Sequence, residues 1–207
     1  TLAGSVEFYK EMKKKNLKPI LGCEFYLCQS DAKIRDATNR SLSHMCVLAL
    51  NKQGWKQLIK ASSLSNMPDQ HYYRPRLSYE DLAAFADGNL FGFSGHPGSC
   101  LANIFFENPH LAYGAKSLSD VRSLVRKDWK EQGIRLAGKF MDMFGKNNFG
   151  FEVQDIDKEN CPAAFAVSSM VRAVAKELNG ILLATADAHY PGPEDAADQR
   201  VLLCLAM

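Results

Sequence analysis

Histidine and acidic side chains stand inside or next to several apolar stretches of this chain. Five residues fit that description: Glu24, His44, His96, Asp187 and His189. Imidazole nitrogens and carboxylate oxygens together make good ligands for zinc, manganese or iron. A divalent cation held by such groups neutralises phosphoryl oxygens and lowers the pKa of a bound water, which is the chemistry of phosphate-ester hydrolysis. The residue types therefore predict a hydrolytic metal site, provided that the five side chains converge.

Two positions carry a sharper physical argument than the others. Glu24 lies within the apolar run 20–27, where an unpaired carboxylate would lose much of its hydration. Asp187 and His189 are two positions apart, so an extended backbone would turn both side chains to one face. Taken singly, a histidine at a strand end is more often a structural residue, and an aspartate near a histidine can simply cap a turn. The metal interpretation depends on the whole set.

The five residues need a scaffold that brings strand ends together. Five runs have the length and composition of buried strands: residues 20–27, 45–50, 90–93, 149–153 and 181–185. Segments with helical spacing separate them, and Ser78 and Pro162 mark two helix starts. This alternation predicts an α/β fold with a largely parallel sheet. Glu24 and His44 can reach one edge of it only if their strands run antiparallel or bend, so we expect a local hairpin there.

Composition and charge limit the partners that the whole surface could attract. A chain of 207 residues with 46% hydrophobic content can bury a sizeable core, and we expect residues 1–207 to form a single domain. Its 25 basic residues nearly balance its 23 acidic ones, so no global field draws it to nucleic acid or lipid. A lysine cluster lies within residues 10–18. A solvated helix end explains that cluster as well as a DNA contact does.

The cysteines and the apolar runs indicate where such a protein works. Its six cysteines are scattered and form no C-x-x-C pair, which argues against a zinc ribbon or a disulfide framework. No apolar run approaches the roughly 20 residues that a membrane span needs. The expectation is a protein of the reducing cytoplasm with no membrane partner.

Four segments carry the candidate ligands, namely residues 22–24, 44–51, 94–97 and 185–190. In that order they resemble the later metal-binding motifs of the PHP (polymerase and histidinol phosphatase) domain at the front of bacterial DNA polymerase III alpha subunits. Other stretches look like the same subunit: residues 6–10, 18–20, 61–64, 72–76 and 201–204. The similarity spans nearly the whole chain.

The resemblance implies a distorted (β/α)7 barrel from which about the first two strands and a helix are missing. In that family the domain begins with His-x-His and Asp-His-Gly motifs, and Thr1 resembles the residue just after them. The resemblance also implies that Glu24, His44, His96, Asp187 and His189 bind more than one divalent metal ion in the intact domain. Asp187 and His189 would be catalytic through metal-bound water. His96 departs from the replicative subunits, which usually have cysteine there, although either side chain binds zinc.

The implied function is part of a DNA-directed DNA polymerase that works in DNA replication. The domain itself would be a metal-dependent phosphoesterase or 3′–5′ exonuclease, incomplete and inactive in this fragment alone. Its partners would be DNA, through the full polymerase, the remaining polymerase domains and a proofreading subunit. Two alternatives stay open, a non-catalytic structural and docking domain or a free-standing PHP phosphoesterase. The segments 72–76 and 201–204 favour the polymerase branch.

Overall fold

Helices are interspersed with strands along the chain in a computed structural model that describes residues 2–37, 39–154 and 157–205. The strands in these ranges are β1 (Gly22–Cys28), β2 (Ser43–Ala49), β3 (Leu77–Ser78), β4 (Leu90–Ser94), β5 (Phe149–Gln154) and β6 (Ile181–Thr185). The α-helices are α1 (Ser5–Lys14), α2 (Lys52–Ser65), α3 (Tyr79–Ala83), α4 (Cys100–Asn103), α5 (Pro109–Gly114), α6 (Leu118–Ser123), α7 (Trp129–Phe144), α8 (Pro162–Leu178) and α9 (Ala196–Leu205). The predicted α/β class is confirmed.

The strands form one mixed sheet in the order β3-β1-β2-β4-β5-β6. Strand β2 runs antiparallel to both of its neighbours, whereas β3 pairs with β1, and β4, β5 and β6 pair with one another, in parallel. The expected hairpin relation of the first two strands is thus confirmed, and three of the five described strand pairs are parallel, as predicted for a largely parallel sheet. The antiparallel pairing of β2 with β4 was not predicted. Strand β3 was not foreseen, because two residues leave no periodic pattern. Within the described ranges the sheet is open, with β3 and β6 at its edges.

Local sequence signals set several helix boundaries. The Ser78 hydroxyl accepts from the backbone N–H of Asp81, whose carboxylate accepts from the N–H of Ser78, a reciprocal cap at the start of α3. Pro162 occupies the first turn of α8, and Asn179 ends it in the left-handed conformation with φ 49°. Among the described helices, none has both the length and the hydropathy to cross a membrane.

The core lies against one face of β1 and β2 and extends under α7 and α8. Alternate residues of the first two strands, such as Phe25, Met45 and Val47, are buried in it. Phe140 of α7 packs on Phe149 of β5 with ring centroids 5.5 Å apart. Because neighbouring strand residues point to opposite faces, the even-numbered residues of β1 and β2 face away from this core. That second face carries the candidate site.

Strand β6 is the more exposed edge of the sheet. Ile181 and Leu182 are 40% and 49% exposed, although both are apolar. Its backbone pairs with β5 along the whole strand, and its last residue, Thr185, is half-buried. Strand β6 is therefore paired with β5 on one side and faces solvent on the other.

Candidate metal centre

Three of the five predicted ligands lie together. One ligand atom from each of Glu24, His44 and His96 lies within 4.8 Å of the other two. Oε1 of Glu24 is 3.0 Å from Nδ1 of His44 and 3.5 Å from Nε2 of His96. Exposure falls across the cluster, from 51% for the Glu24 side chain through 33% for His44 to 8% for His96. The group is thus open to solvent on the Glu24 side and closed on the His96 side.

The antiparallel pairing of β1 and β2 places Glu24 beside His44. Glu24 stands opposite Cys46, and Tyr26 stands opposite His44, so Glu24 and His44 are diagonal neighbours on one face, within reach of long side chains. The backbone N–H of His44 donates to the carbonyl of Gly98 at 3.0 Å. This bond ties the start of β2 to the loop that carries His96.

The loop after β4 brings His96 to the cluster. Gly95 has φ 155°, and a Cβ at this position would overlap the carbonyl oxygen of Glu152 in β5. The Ser99 hydroxyl accepts from the N–H of Gly95 at 3.0 Å, which closes the turn. Only glycine lets the backbone come this close to the neighbouring strand. The close approach is what sets the His96 ring against β5.

Glu152 holds the buried side of the His96 ring. Its side chain is 5% exposed, and its Oε2 lies 2.7 Å from Nδ1 of His96. Its other oxygen accepts from the Thr185 hydroxyl at 2.6 Å. A carboxylate has no proton to give, so Nδ1 of His96 donates, and Nε2 is left on the Glu24 side. Such a carboxylate partner orients a histidine for metal binding.

Electrostatics inside the cluster favour the ionised forms. Hydrogen bonds from His44 and His96 hold the pKa of Glu24 far below its usual value. Burial disfavours the imidazolium of His96, but hydrogen bonds to Glu152 and Glu24 outweigh it and raise the pKa of His96 to about 9. Burial also opposes ionisation of Glu152, yet its bond to His96 keeps the pKa of this carboxyl below its usual value. The metal-free cluster is therefore a network of charge-assisted hydrogen bonds.

Asp187 and His189 lie at the same end of the parallel strands as the loop that carries His96. They are outside the group formed by Glu24, His44 and His96. They follow β6, whose carboxyl end adjoins that of β5, and their side chains are 52% and 58% exposed. Asp187 has φ 49°, and its carbonyl oxygen is 2.8 Å from Nδ1 of His189. The backbone at Asp187 is therefore left-handed and not extended, contrary to what the sequence suggested.

The thiol of Cys46 shows that Asp187 is not remote from the cluster. Burial raises the pKa of Cys46, and the nearby negative charges of Glu24, Glu152 and Asp187 raise it further. Cys46 is the cross-strand partner of Glu24. Asp187 thus acts electrostatically on the strand pair that carries the cluster, without placing a ligand atom in it.

Sequence reasoning missed Glu152 and misjudged the surroundings of Glu24. Glu24 was singled out as an acid within an apolar strand, but it lies on the face away from the core and is half exposed. Glu152 has the same signal, standing between Phe151 and Val153, and it is the buried one. Reading that pattern in every strand would have found it.

The three clustered side chains suit a divalent cation. One carboxylate and two imidazoles are ligands that zinc, manganese and iron accept. The Glu152 bond leaves Nε2 of His96 as the ligand atom of that ring, as metal-binding histidines require. Three protein ligands would leave coordination positions for further side chains, water or substrate.

Comparison with known proteins assigns the chain to a family. The family model for the PHP domain matches residues 1–156, a span that contains Glu24, His44, His96 and Glu152. DNA polymerase III subunit alpha of Treponema pallidum is 31% identical over 206 residues, and that of Aquifex aeolicus is 30% identical over 213. The same subunit of Borreliella burgdorferi is 29% identical over 206 residues. These alignments cover 98%, 100% and 99% of this chain but only 15%, 16% and 16% of the relatives. With most of its length matched by the family model, the chain belongs to the PHP domain family.

Proposed function

We propose that this chain is the PHP domain of a replicative DNA polymerase and that its cluster supports metal-dependent hydrolysis of phosphodiesters at DNA 3′ ends. The convergence of Glu24, His44 and His96 within 4.8 Å carries the proposal. The named relatives are alpha subunits of DNA polymerase III, which supports the polymerase context. In this proposal residues 1–207 act as one partial domain in the cytoplasm, beside the remaining polymerase domains and a proofreading subunit.

The residues have distinct roles in the proposed reaction. Glu24, His44 and His96 would hold zinc, manganese or iron, and the bound cation would supply Lewis acidity to the phosphoryl oxygens and to water. Glu152 orients His96 from the buried side. Asp187 and His189 would complete the site from the end of β6, where their exposed side chains can meet substrate. Their carboxylate and imidazole would serve there as further metal ligands.

A cluster variant tests the hydrolytic proposal. We expect the complete gene product that contains residues 1–207 to shorten a primer with a mismatched 3′ end when zinc or manganese is added. Glu24→Gln and His96→Gln should each lower the rate at least about 100-fold, because each removes a ligand. The matched control is Glu131→Gln, which alters an exposed carboxylate of α7. Metal-loaded protein without any 3′ trimming would refute the nuclease.

A structural role is the second candidate, and the position of Asp187 and His189 favours it. Both lie outside the three-residue group and are more than half exposed, so the cluster could bind metal for stability alone. Asp187→Asn separates the two functions. If the variant keeps its melting temperature and loses hydrolysis, the site is an enzyme. If neither the parent chain nor the variant hydrolyses DNA and the variant unfolds at a lower temperature, the domain is a scaffold.

A further inference from the structure

A groove of about 440 Å³ opens beside the metal cluster. It is shared by β1, the start of β2 and the loops before β2 and β3. The residues that matter for its chemistry are Tyr26, Arg40, His44, Tyr72, Tyr73 and Arg74. His44 belongs both to this groove and to the cluster, so a ligand in the groove would reach the candidate metal site directly. Its volume is at the lower end of the range for small-ligand pockets, about 300–1,000 Å³.

Aromatic rings line the groove. Tyr26 meets the His44 ring edge to face, with centroids 4.7 Å apart, and Tyr72 and Tyr73 pack in the same way at 4.6 Å. Tyr73 is 67% exposed. Its φ of 61° is a backbone conformation that residues other than glycine adopt only at an energetic cost. The chain thus holds a large aromatic ring in solvent through a strained turn, which presents a flat surface to a ligand.

Two guanidinium groups lie over these rings. The Arg40 guanidinium is 4.5 Å from the Tyr73 centroid, and that of Arg74 is 5.1 Å from the Tyr26 centroid. Arg74 also donates to the Tyr26 hydroxyl at 2.6 Å. No carboxylate of the described residues forms an ion pair with Arg40 or Arg74, and the groove lining contains no acid. Both positive charges are therefore available to an anion.

A buried arginine, Arg76, holds in place the segment between β1 and β2 that forms the wall of the groove and carries Arg40. Arg76 is fully buried, and its guanidinium donates to the backbone carbonyls of Ala32, Ile34 and Asn39. The same group lies 5.0 Å from the Tyr72 centroid. These bonds fix the connection between β1 and β2 before any ligand arrives. A preformed wall binds without a further ordering cost.

We propose that this groove binds the last one or two nucleotides of single-stranded DNA and delivers the 3′-terminal phosphodiester to the cluster. Bases would stack on Tyr72 and Tyr73, and Arg40 and Arg74 would bind the phosphates. Aromatic planes alternating with unpaired guanidiniums are how proteins hold single strands without reading sequence. The groove is too small for a duplex. The assignment of DNA as the polymer rests on the proposed function.

Photocrosslinking locates the strand without needing hydrolysis. A thymidine oligonucleotide with 5-iododeoxyuridine at its 3′ end is irradiated with the full chain in EDTA, and the labelled peptide is identified by mass spectrometry. We expect label on the peptide that contains Tyr72 and Tyr73. Arg40→Gln and Arg74→Gln should each reduce that label about tenfold, and Tyr73→Phe should retain it because the ring remains. If the label were confined to other peptides, the proposal that the groove binds the DNA strand would be wrong.

Matched controls exclude general charge effects. Tyr9 is an exposed tyrosine with the Lys13 ammonium 5.8 Å from its ring, so Tyr9→Ala removes a similar pair elsewhere and should leave the label unchanged. Arg122→Gln removes an exposed arginine of α6 with the same expected result. A fully paired duplex should label weakly, and labelling equal to that of the single strand would refute the preference.

The cluster variants separate this proposal from the proposed function. Glu24→Gln should lose hydrolysis and keep the crosslink at Tyr72 and Tyr73. A crosslink at Tyr72 and Tyr73 in a chain that never hydrolyses DNA would support the groove as a DNA-binding site and contradict the proposed nuclease function. Hydrolysis by a chain in which the strand crosslinks only to other peptides would support the nuclease function and contradict the groove as its DNA-binding site.

Discussion

At the residue scale, two glutamates with the same sequence signal have opposite surroundings. Glu24 faces solvent and pairs with His44 and His96, whereas Glu152 is buried and holds His96 from behind. Burial makes the Glu152 bond worth more, because water cannot replace it. The candidate ligand with the least freedom is therefore His96, and its partner matters as much as the ring itself.

Replacing Glu152 should weaken metal binding without removing a ligand. Glu152→Gln keeps the shape but loses the charge that makes His96 a better donor, so we expect the dissociation constant for zinc to rise about 10–100-fold. Isothermal titration calorimetry measures it. Glu131→Gln, on the exposed face of α7, is the control. Equal affinities for the Glu152 variant and the parent chain would contradict the orienting role.

Metal affinity should depend on pH through His96. In the metal-free chain the pKa of His96 is raised from 6.5 to about 9, so its charged form adds stability below pH 6.5 that is lost as the pH rises toward 9. A metal needs the neutral ring, so binding near pH 7 must displace a proton. We expect the affinity to rise about tenfold per pH unit from 7 to 9 and then to level off. Zinc titrations across this range test it. In Glu152→Gln the plateau should begin at lower pH.

At the element scale, the turn after β4 is the most demanding part of the site. It must pass close to β5, return to His44 through the Gly98 carbonyl and start α4 at Ser99. Gly95 permits the first of these contacts. The hairpin of β1 and β2 is less constrained, since its even-numbered residues face away from the core. Changes in the turn should therefore disturb the site more than changes in the hairpin.

Adding one methyl group at Gly95 should test this difference. Gly95→Ala forces the turn away from the Glu152 carbonyl, and we expect a loss of more than about 2 kcal/mol in the free energy of unfolding. Gly138→Ala in α7 meets no atom within 4 Å and should add up to about 1 kcal/mol, as alanine does in helices. Urea unfolding of both variants gives the comparison. If Gly95→Ala were as stable as the parent chain, the close approach would not be needed.

At the scale of the whole molecule, the site links strands that are far apart in sequence. Glu24, His44 and His96 come from β1, β2 and the turn after β4, and Glu152 and Thr185 add β5 and β6. A ligand bound at the cluster would therefore stabilise most of the sheet at once. Unfolding of the sheet would require the release of this bound ligand.

Metal should accordingly raise the melting temperature of the whole chain. At a free metal concentration about 100 times the dissociation constant, binding adds about 2.7 kcal/mol, or roughly 5–10 °C for a chain of this size. Differential scanning calorimetry with zinc and then with EDTA measures the shift. Glu24→Gln should abolish most of it. A shift that survives in that variant would place the bound metal elsewhere.

Sequence alone foresaw the elements better than their pairing. Strand and helix positions follow from local periodicity and caps, as Ser78 and Pro162 show, and the convergence of Glu24 with His44 followed from a hairpin argument. The direction of β2 relative to β4 and the left-handed turn at Asp187 depend on contacts across the fold, which no local pattern encodes. Glu152 was visible as a strand acid, but its role depends on a neighbour 56 positions away.

The exposed edge of β6 has a consequence for Asp187 and His189. Among the described residues, β6 has a neighbouring strand on one side only, and the backbone groups on its other side, near Ile181 and Leu182, form a template that another extended segment can join. Any segment that docks there would run past Thr185 and define the space into which the following turn can fold. The geometry of the last two candidate ligands would then be set by whatever completes the sheet, as much as by the residues between them.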